Sequence, residues 1–294
     1  MDYISTALLD IAYESGGPED GLPVVLLHGW PDDALGWRRV AARLHAAGFR
    51  TYAPWLRGHG ETRFRSADTF RDGRAVALAQ DALDFADALG LEGFAVAGHD
   101  WGARTAYTLS AIAPERLSAI AALALGYTPR GAFPVPNFEQ SRRWWYQWFM
   151  TFDGGAEALA ADPVGFDRLQ WDTWGPPNWY EEADFQETAK SFRNPDWVPV
   201  TLHAYRSRWQ TVPVDPGYAA LQARVADTVP LATPTLMIQG AADACDPPGE
   251  SAGLDEYFTA GYQRIVLPDV GHFPQREAPD AVADALVAHF CDHA

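Results

Sequence analysis

The pentapeptide Gly98-His99-Asp100-Trp101-Gly102 stands between a short apolar run, Phe94–Gly98, and a stretch of helical period, Trp101–Ala113. Small residues on both flanks allow a tight strand-to-helix turn that lifts the middle side chain above a sheet. The usual occupant of that middle position is serine, and here it is Asp100. A carboxylate is already ionised at neutral pH, with an ordinary pKa near ~4, so it can attack without a general base. Attack on an ester would give a mixed anhydride. Attack on an sp³ carbon bearing a leaving group gives an alkyl ester, which water must then hydrolyse. The substrates that suit Asp100 are therefore epoxides and alkyl halides.

Hydrolysis of such an ester calls for a histidine held by a carboxylate. His272 follows the last strand-like run, in Val270-Gly271-His272-Phe273-Pro274, and Asp243 follows the run Thr235–Gln239. Both fall at the carboxyl ends of their strands, where open α/β sheets bind ligands. The chain order nucleophile, acid, histidine also fits this kind of sheet. Asp246 is the rival acid, but it precedes Pro247-Pro248 and reads as a turn starter. At the end of Pro23–Leu27, the loop His28-Gly29-Trp30-Pro31 can aim the Trp30 N–H, together with the Trp101 N–H, at the ester oxygen.

The elements that position these residues alternate along the first half of the chain. Strand-like Pro23–Leu27, Phe49–Pro54, Phe94–Gly98 and Leu117–Gly126 are interleaved with helical Asp33–Ala47, Arg74–Leu89 and Trp101–Ala113. That rhythm predicts an α/β fold with a mostly parallel sheet covered by helices on both faces. The texture changes in Pro134–Asp227, which carries eight of the twelve tryptophans and almost no strand-like run. Helix-length stretches there, such as Gln140–Phe152 and Asp184–Phe192, predict an inserted helical cap. Strands resume at Pro234–Gln239 and Gln263–Leu267, and Pro279–His293 predicts a closing helix. The expected organisation is a core in two parts, 1–132 and 229–294, with the cap at 133–228.

Composition narrows the function classes. A net charge of −17 repels phosphate backbones and anionic lipid, so neither nucleic acid nor a membrane is an expected partner. Two cysteines, Cys245 and Cys291, are too few for a disulfide scaffold or a thiolate zinc site, and no metal or dinucleotide motif occurs. The start of the chain does not read as a signal peptide, which predicts a cytoplasmic protein, a monomer or a homodimer, without cofactor.

On these motifs, with Arg57-Gly58-His59-Gly60, the chain resembles the α/β-hydrolase family over nearly its whole length, and most of all its soluble epoxide hydrolases. The resemblance implies that two cap tyrosines hydrogen-bond the epoxide oxygen. Tyr146, in Trp145-Tyr146-Gln147-Trp148-Phe149, and Tyr205, in His203-Ala204-Tyr205-Arg206, match them. The tryptophan-rich cap points to a small apolar substrate, with Trp30, Trp101 and Trp148 as the expected contacts. The alternative reaction is haloalkane dehalogenation by the same Asp, His and Asp. Haloacid dehalogenation is a weaker match: Arg104 fits one arginine of fluoroacetate dehalogenases, but Trp101 stands where another belongs, and −17 disfavours a small anion. A non-enzymatic alternative is a ligand-sensing relative that has lost turnover.

Overall fold

The computed structural model describes residues 1–293. The strands are β1 (Asp2–Ser5), β2 (Leu9–Gly16), β3 (Leu22–Leu27), β4 (Phe49–Pro54), β5 (Arg63–Phe64), β6 (Phe94–His99), β7 (Leu117–Leu123), β8 (Thr235–Gly240) and β9 (Tyr262–Leu267). They form one sheet in the order β1-β2-β4-β3-β6-β7-β8-β9, with β5 on β2. The pairs from β4–β3 through to β8–β9 are parallel, and the β1, β2 and β5 pairings are antiparallel.

The central strands are apolar throughout because both of their faces are covered. Along β3, Val25 and Leu27 enter one core while Val24 and Leu26 enter the other, and Val96 and Ala97 of β6 divide in the same way. Helices α1 (Arg38–Ala46), α2 (Ala75–Ala88) and α3 (Trp101–Ile112) lie among the first seven strands. Glycines with positive φ, Gly48 and Gly90, follow α1 and α2 closely.

Between β7 and β8 the chain is helical: α4 (Phe138–Arg143), α5 (Trp145–Phe149), α6 (Asp153–Ala161), α7 (Pro163–Trp174), α8 (Glu182–Thr188), α9 (Trp197–Trp209) and α10 (Ala219–Asp227). Helix α10 packs on α3, and α11 (Pro274–Glu277) and α12 (Pro279–Asp292) close the chain. Directional bonds fix this insertion to the core. The Trp171 indole donates to Pro31 O at 2.6 Å, Ser191 Oγ donates to Asp33 at 2.7 Å, and the His272 N–H donates to Trp174 O at 3.1 Å. No helix among the described residues is long and apolar enough to cross a membrane.

Three details differ from the sequence expectation. Asp33–Ala47 is a 3-10 turn at Ala34–Trp37 followed by α1, with the Asp33 side chain accepting from the Leu35 N–H. Gln140–Phe152 is not one helix, because it is interrupted at Trp144 between α4 and α5. Strands β1, β2 and β5 lie outside the sequence expectation; β1, at the sheet edge, is largely exposed and carries no apolar run, and β2 lies between β1 and β4.

Candidate active site

The carboxyl ends of β6, β8 and β9 bring Asp100, Asp243 and His272 together. Asp100 caps α3 with φ +49° and ψ −107°, a conformation that costs a non-glycine residue energy and persists only where its surroundings impose it. Those surroundings are close. A Cβ on Gly98 would stand 2.1 Å from Gly102 O, and one on Gly29 2.5 Å from Asp100 Cβ. Both positions must be glycine for the turn to close against β3.

Asp243, not Asp246, holds the histidine. His272 Nδ1 lies 2.9 Å from Asp243 Oδ2, which also accepts from Gln239 Nε2 at 3.1 Å. The other oxygen of Asp243 accepts from the backbone N–H groups of Cys245 and Asp246 at 2.8 and 2.9 Å. A carboxylate fixed by four donors orients the ring with its Nε2 toward Asp100 Oδ2, 3.8 Å away. That Nε2 is buried without a hydrogen-bond partner.

The charges reinforce this geometry. Burial disfavours the His272 cation, but Asp243 and Asp100 outweigh it and hold the imidazole well above its ordinary pKa. Burial also pushes the Asp100 carboxyl up, yet His272 and the Trp30 N–H bring it down to about 2. Asp246 behaves differently, since burial and the neighbouring Asp243 raise it to about 6. Beneath the turn, His99 donates toward His272 O at 2.7 Å, and burial lowers its pKa to about 4.

Of the two expected oxyanion donors, the Trp30 N–H reaches Asp100 Oδ1 at 2.9 Å. The Trp101 N–H forms no such bond; the Trp101 indole instead donates to Tyr205 Oη at 3.2 Å.

Both cap tyrosines stand over this centre. The Trp30 ring stacks on Tyr146 at 5.4 Å and meets the edge of Tyr205 at 5.1 Å, and the two tyrosines touch each other at 5.4 Å. Gln147 Nε2 donates to Tyr146 Oη at 3.1 Å. Each phenol oxygen accepts from a fixed N–H; the Tyr205 proton is left to donate elsewhere, and the Tyr146 hydroxyl also lies 3.7 Å from Cys245 Sγ. Burial raises both phenols well above their ordinary pKa, so they stay neutral.

Trp148 is placed elsewhere. Its ring packs on Trp209 at 4.3 Å, and its indole donates to Ser141 O. The aromatic that contacts His272 from the cap is Trp174, edge-on at 4.9 Å and also 5.1 Å from Tyr146. Neither Trp174 nor Gln147 was singled out from sequence, although Gln147 adjoins Tyr146. Cys245 Sγ, an Asp246 oxygen and a His272 nitrogen lie within 4.8 Å of one another. Burial favours the protonated thiol, and these side chains enclose the histidine.

Comparison with known proteins agrees with this geometry. Residues 23–279 match the α/β hydrolase fold family. The chain is 27% identical to epoxide hydrolase A of Mycobacterium tuberculosis over 93% of its own length and 91% of that protein. It is 25% identical to an epoxide hydrolase of Caballeronia sordidicola, over 95% and 89%. The structure superposes on that of a candidate epoxide hydrolase from Klebsiella pneumoniae with a TM-score of 0.92 at 35% identity, covering 98% of this chain and 96% of that one. The chain belongs to the α/β-hydrolase fold family and is related to its bacterial epoxide hydrolases.

Proposed function

We propose that the protein hydrolyses a small apolar epoxide to a vicinal diol through an ester on Asp100. The observation that carries this reading is the pair of buried, neutral phenols, Tyr146 and Tyr205, whose oxygens accept from Gln147 and Trp101. Asp100 Oδ1 is held by the Trp30 N–H, which leaves Oδ2 to attack a ring carbon. As the carbon–oxygen bond breaks, its electron pair goes to the ring oxygen, which takes a proton from a phenol. A neutral donor of this kind stabilises a developing alkoxide without requiring a cation in an apolar chamber.

Alkylation removes the charge of Asp100, one of the two charges that favour the His272 imidazolium. The imidazolium thus holds its proton less firmly and returns it to the phenolate left by ring opening, which restores the phenol and leaves His272 a neutral base. It then takes a proton from water that attacks the ester carbonyl, with the carbonyl oxygen on the Trp30 N–H. On collapse the bond to the substrate oxygen breaks, the departing alkoxide takes the proton of the added hydroxyl, and the diol leaves with Asp100 again a carboxylate and His272 again protonated. The catalytic set of this reading is Asp100, His272, Asp243, Tyr146 and Tyr205, with Trp30 as the oxyanion donor and as a wall of the substrate chamber alongside Trp101.

A second reading, hydrolysis of alkyl halides by the same Asp, His and Asp, has one observation in its favour: Trp30 Nε1 is buried without a partner and could face a halide. Against it, the Trp101 indole N–H is already given to Tyr205. Product analysis separates the two. Turnover of styrene oxide and 1,2-epoxyhexane to diols, with no halide released from 1-chlorohexane or 1-bromohexane, supports the epoxide reading. Halide release without diol overturns it.

A further inference from the structure

A cavity of about 320 Å³ lies among α2, α3, α9 and α10. Its lining contains Tyr107, Tyr127, Phe133 and several valines, but no aspartate or glutamate, in a chain with 39 acidic residues. Three arginines reach it. Arg74 is paired with Asp72 at 2.6 Å, whereas Arg104 and Arg208 form no salt bridge among the described residues. Both guanidinium groups lie 4.9 Å from the centroid of one ring, Phe133. Arg104 Nε is enclosed without a hydrogen-bond partner, and Arg208 has only a 3.3 Å bond to the neutral Gln147 amide.

Two like charges sharing a ring repel each other, and burial together with Arg208 lowers the proton affinity of Arg104 even though Asp246 and Asp100 pull the other way. An anion between them would relieve that cost, and a guanidinium binds a carboxylate through paired N–H donors. The apolar walls would take a hydrocarbon body. A second cavity of about 350 Å³ also contains Arg104, and Asp246 and Glu250 lie in its wall; the anion therefore belongs on the Arg208 side.

This cavity adjoins the candidate active site. Arg104 stands one helical turn after Asp100 on α3, its backbone N–H bonded to Asp100 O at 3.0 Å. Arg208 lies 4.4 Å over the Tyr205 ring, and the amide it bonds in turn bonds Tyr146. We propose that Arg104 and Arg208 form a carboxylate subsite, so that the preferred substrates are apolar epoxides carrying a carboxylate remote from the ring. The substrate part of this inference rests on the epoxide reading above. The net charge of −17 is no obstacle, because recognition is set by the local field of the cavity wall.

The test is a series of ω-epoxy acids of five to eleven carbons, each assayed against its methyl ester. Alongside it, hexanoate binding is measured by calorimetry on the whole protein. The wild type should prefer the best acid over its ester by tenfold or more in kcat/KM, through KM, and the preference should narrow in 0.5 M NaCl. Arg104→Gln and Arg208→Gln should each cut the preference to threefold or less. Arg104→Lys and Arg208→Lys should retain part of it, which keeps the test open if a glutamine variant fails to fold. No acid preference anywhere in the series, or a preference untouched by both glutamine substitutions, overturns the subsite. If no epoxide is turned over but hexanoate binds and Arg208→Gln abolishes that binding, the carboxylate site stands and the epoxide reading fails. Absence of hexanoate binding together with absence of turnover overturns both.

Discussion

Nε2 of His272 stops 3.8 Å from Oδ2 of Asp100 and bonds to no other described residue, although its other nitrogen is tied to Asp243 at 2.9 Å. The distance is too long for a hydrogen bond and short enough for an ion pair. A histidine that served only to anchor Asp100 would approach more closely. One that must later take a proton from water, beside an ester at the same position, needs this separation.

The role of Asp243 follows from its four donors. In Asp243→Asn the amide cannot accept at both oxygens, so the imidazole loses its orientation and its charge partner. Stopped-flow tryptophan fluorescence should still show ester formation, while steady-state kcat falls by about 10²- to 10⁴-fold. An equal loss in both steps would assign Asp243 to folding and not to water activation.

In the proposed mechanism the tyrosines act in the other step. Tyr146→Phe and Tyr205→Phe should each slow ring opening by about 10- to 100-fold, and the double substitution by more than 10³-fold, in single-turnover experiments. The far-ultraviolet spectrum should not change, since only an oxygen is lost from each packed ring. Unchanged ring opening in the double variant would reduce both residues to packing.

Much of this site was legible in the sequence because its chemistry is tied to strand ends. Asp100, Asp243 and His272 each follow an apolar run of recognisable length, and the glycines around Asp100 betray the turn. The choice of Asp243 over Asp246 came from the same logic, and the hydrogen bonds agree with it. What sequence could not supply was direction. Trp148 sits two residues from Tyr146 on one short helix and therefore faces away from it, toward Trp209. Arg104 and Arg208 come from α3 of the core and α9 of the cap, and only the packing of one on the other places both over Phe133. Strands β1 and β5 carry no continuous apolar run, and β2, although it lies between β1 and β4, is buried only in its first half.

Asp246 gives a pH-dependent prediction. Burial and Asp243 raise its carboxyl from 3.8 to about 6, so ionising it is less favourable in the folded chain than in the unfolded one. The cost is absent below pH ~4, grows between ~4 and ~6, and is complete above. Asp246→Asn removes it. Urea unfolding should show the variant more stable than the parent by about 3 kcal/mol at pH 8, and by little or nothing at pH 4. A gain of equal size at both pH values would mean that the carboxyl is not the source.

The covalent ester on Asp100 is the centre of the account, and intact-mass analysis of His272→Gln tests it most directly. Exposed to an epoxide, this variant should gain the full mass of the epoxide, with the adduct mapped to the peptide containing Asp100 and no release over many parent turnover times. Exposed to alkyl halides of matched size, it should gain nothing. An adduct from halides but not from epoxides, an adduct on another residue, or steady turnover of His272→Gln at the parent rate would contradict the mechanism.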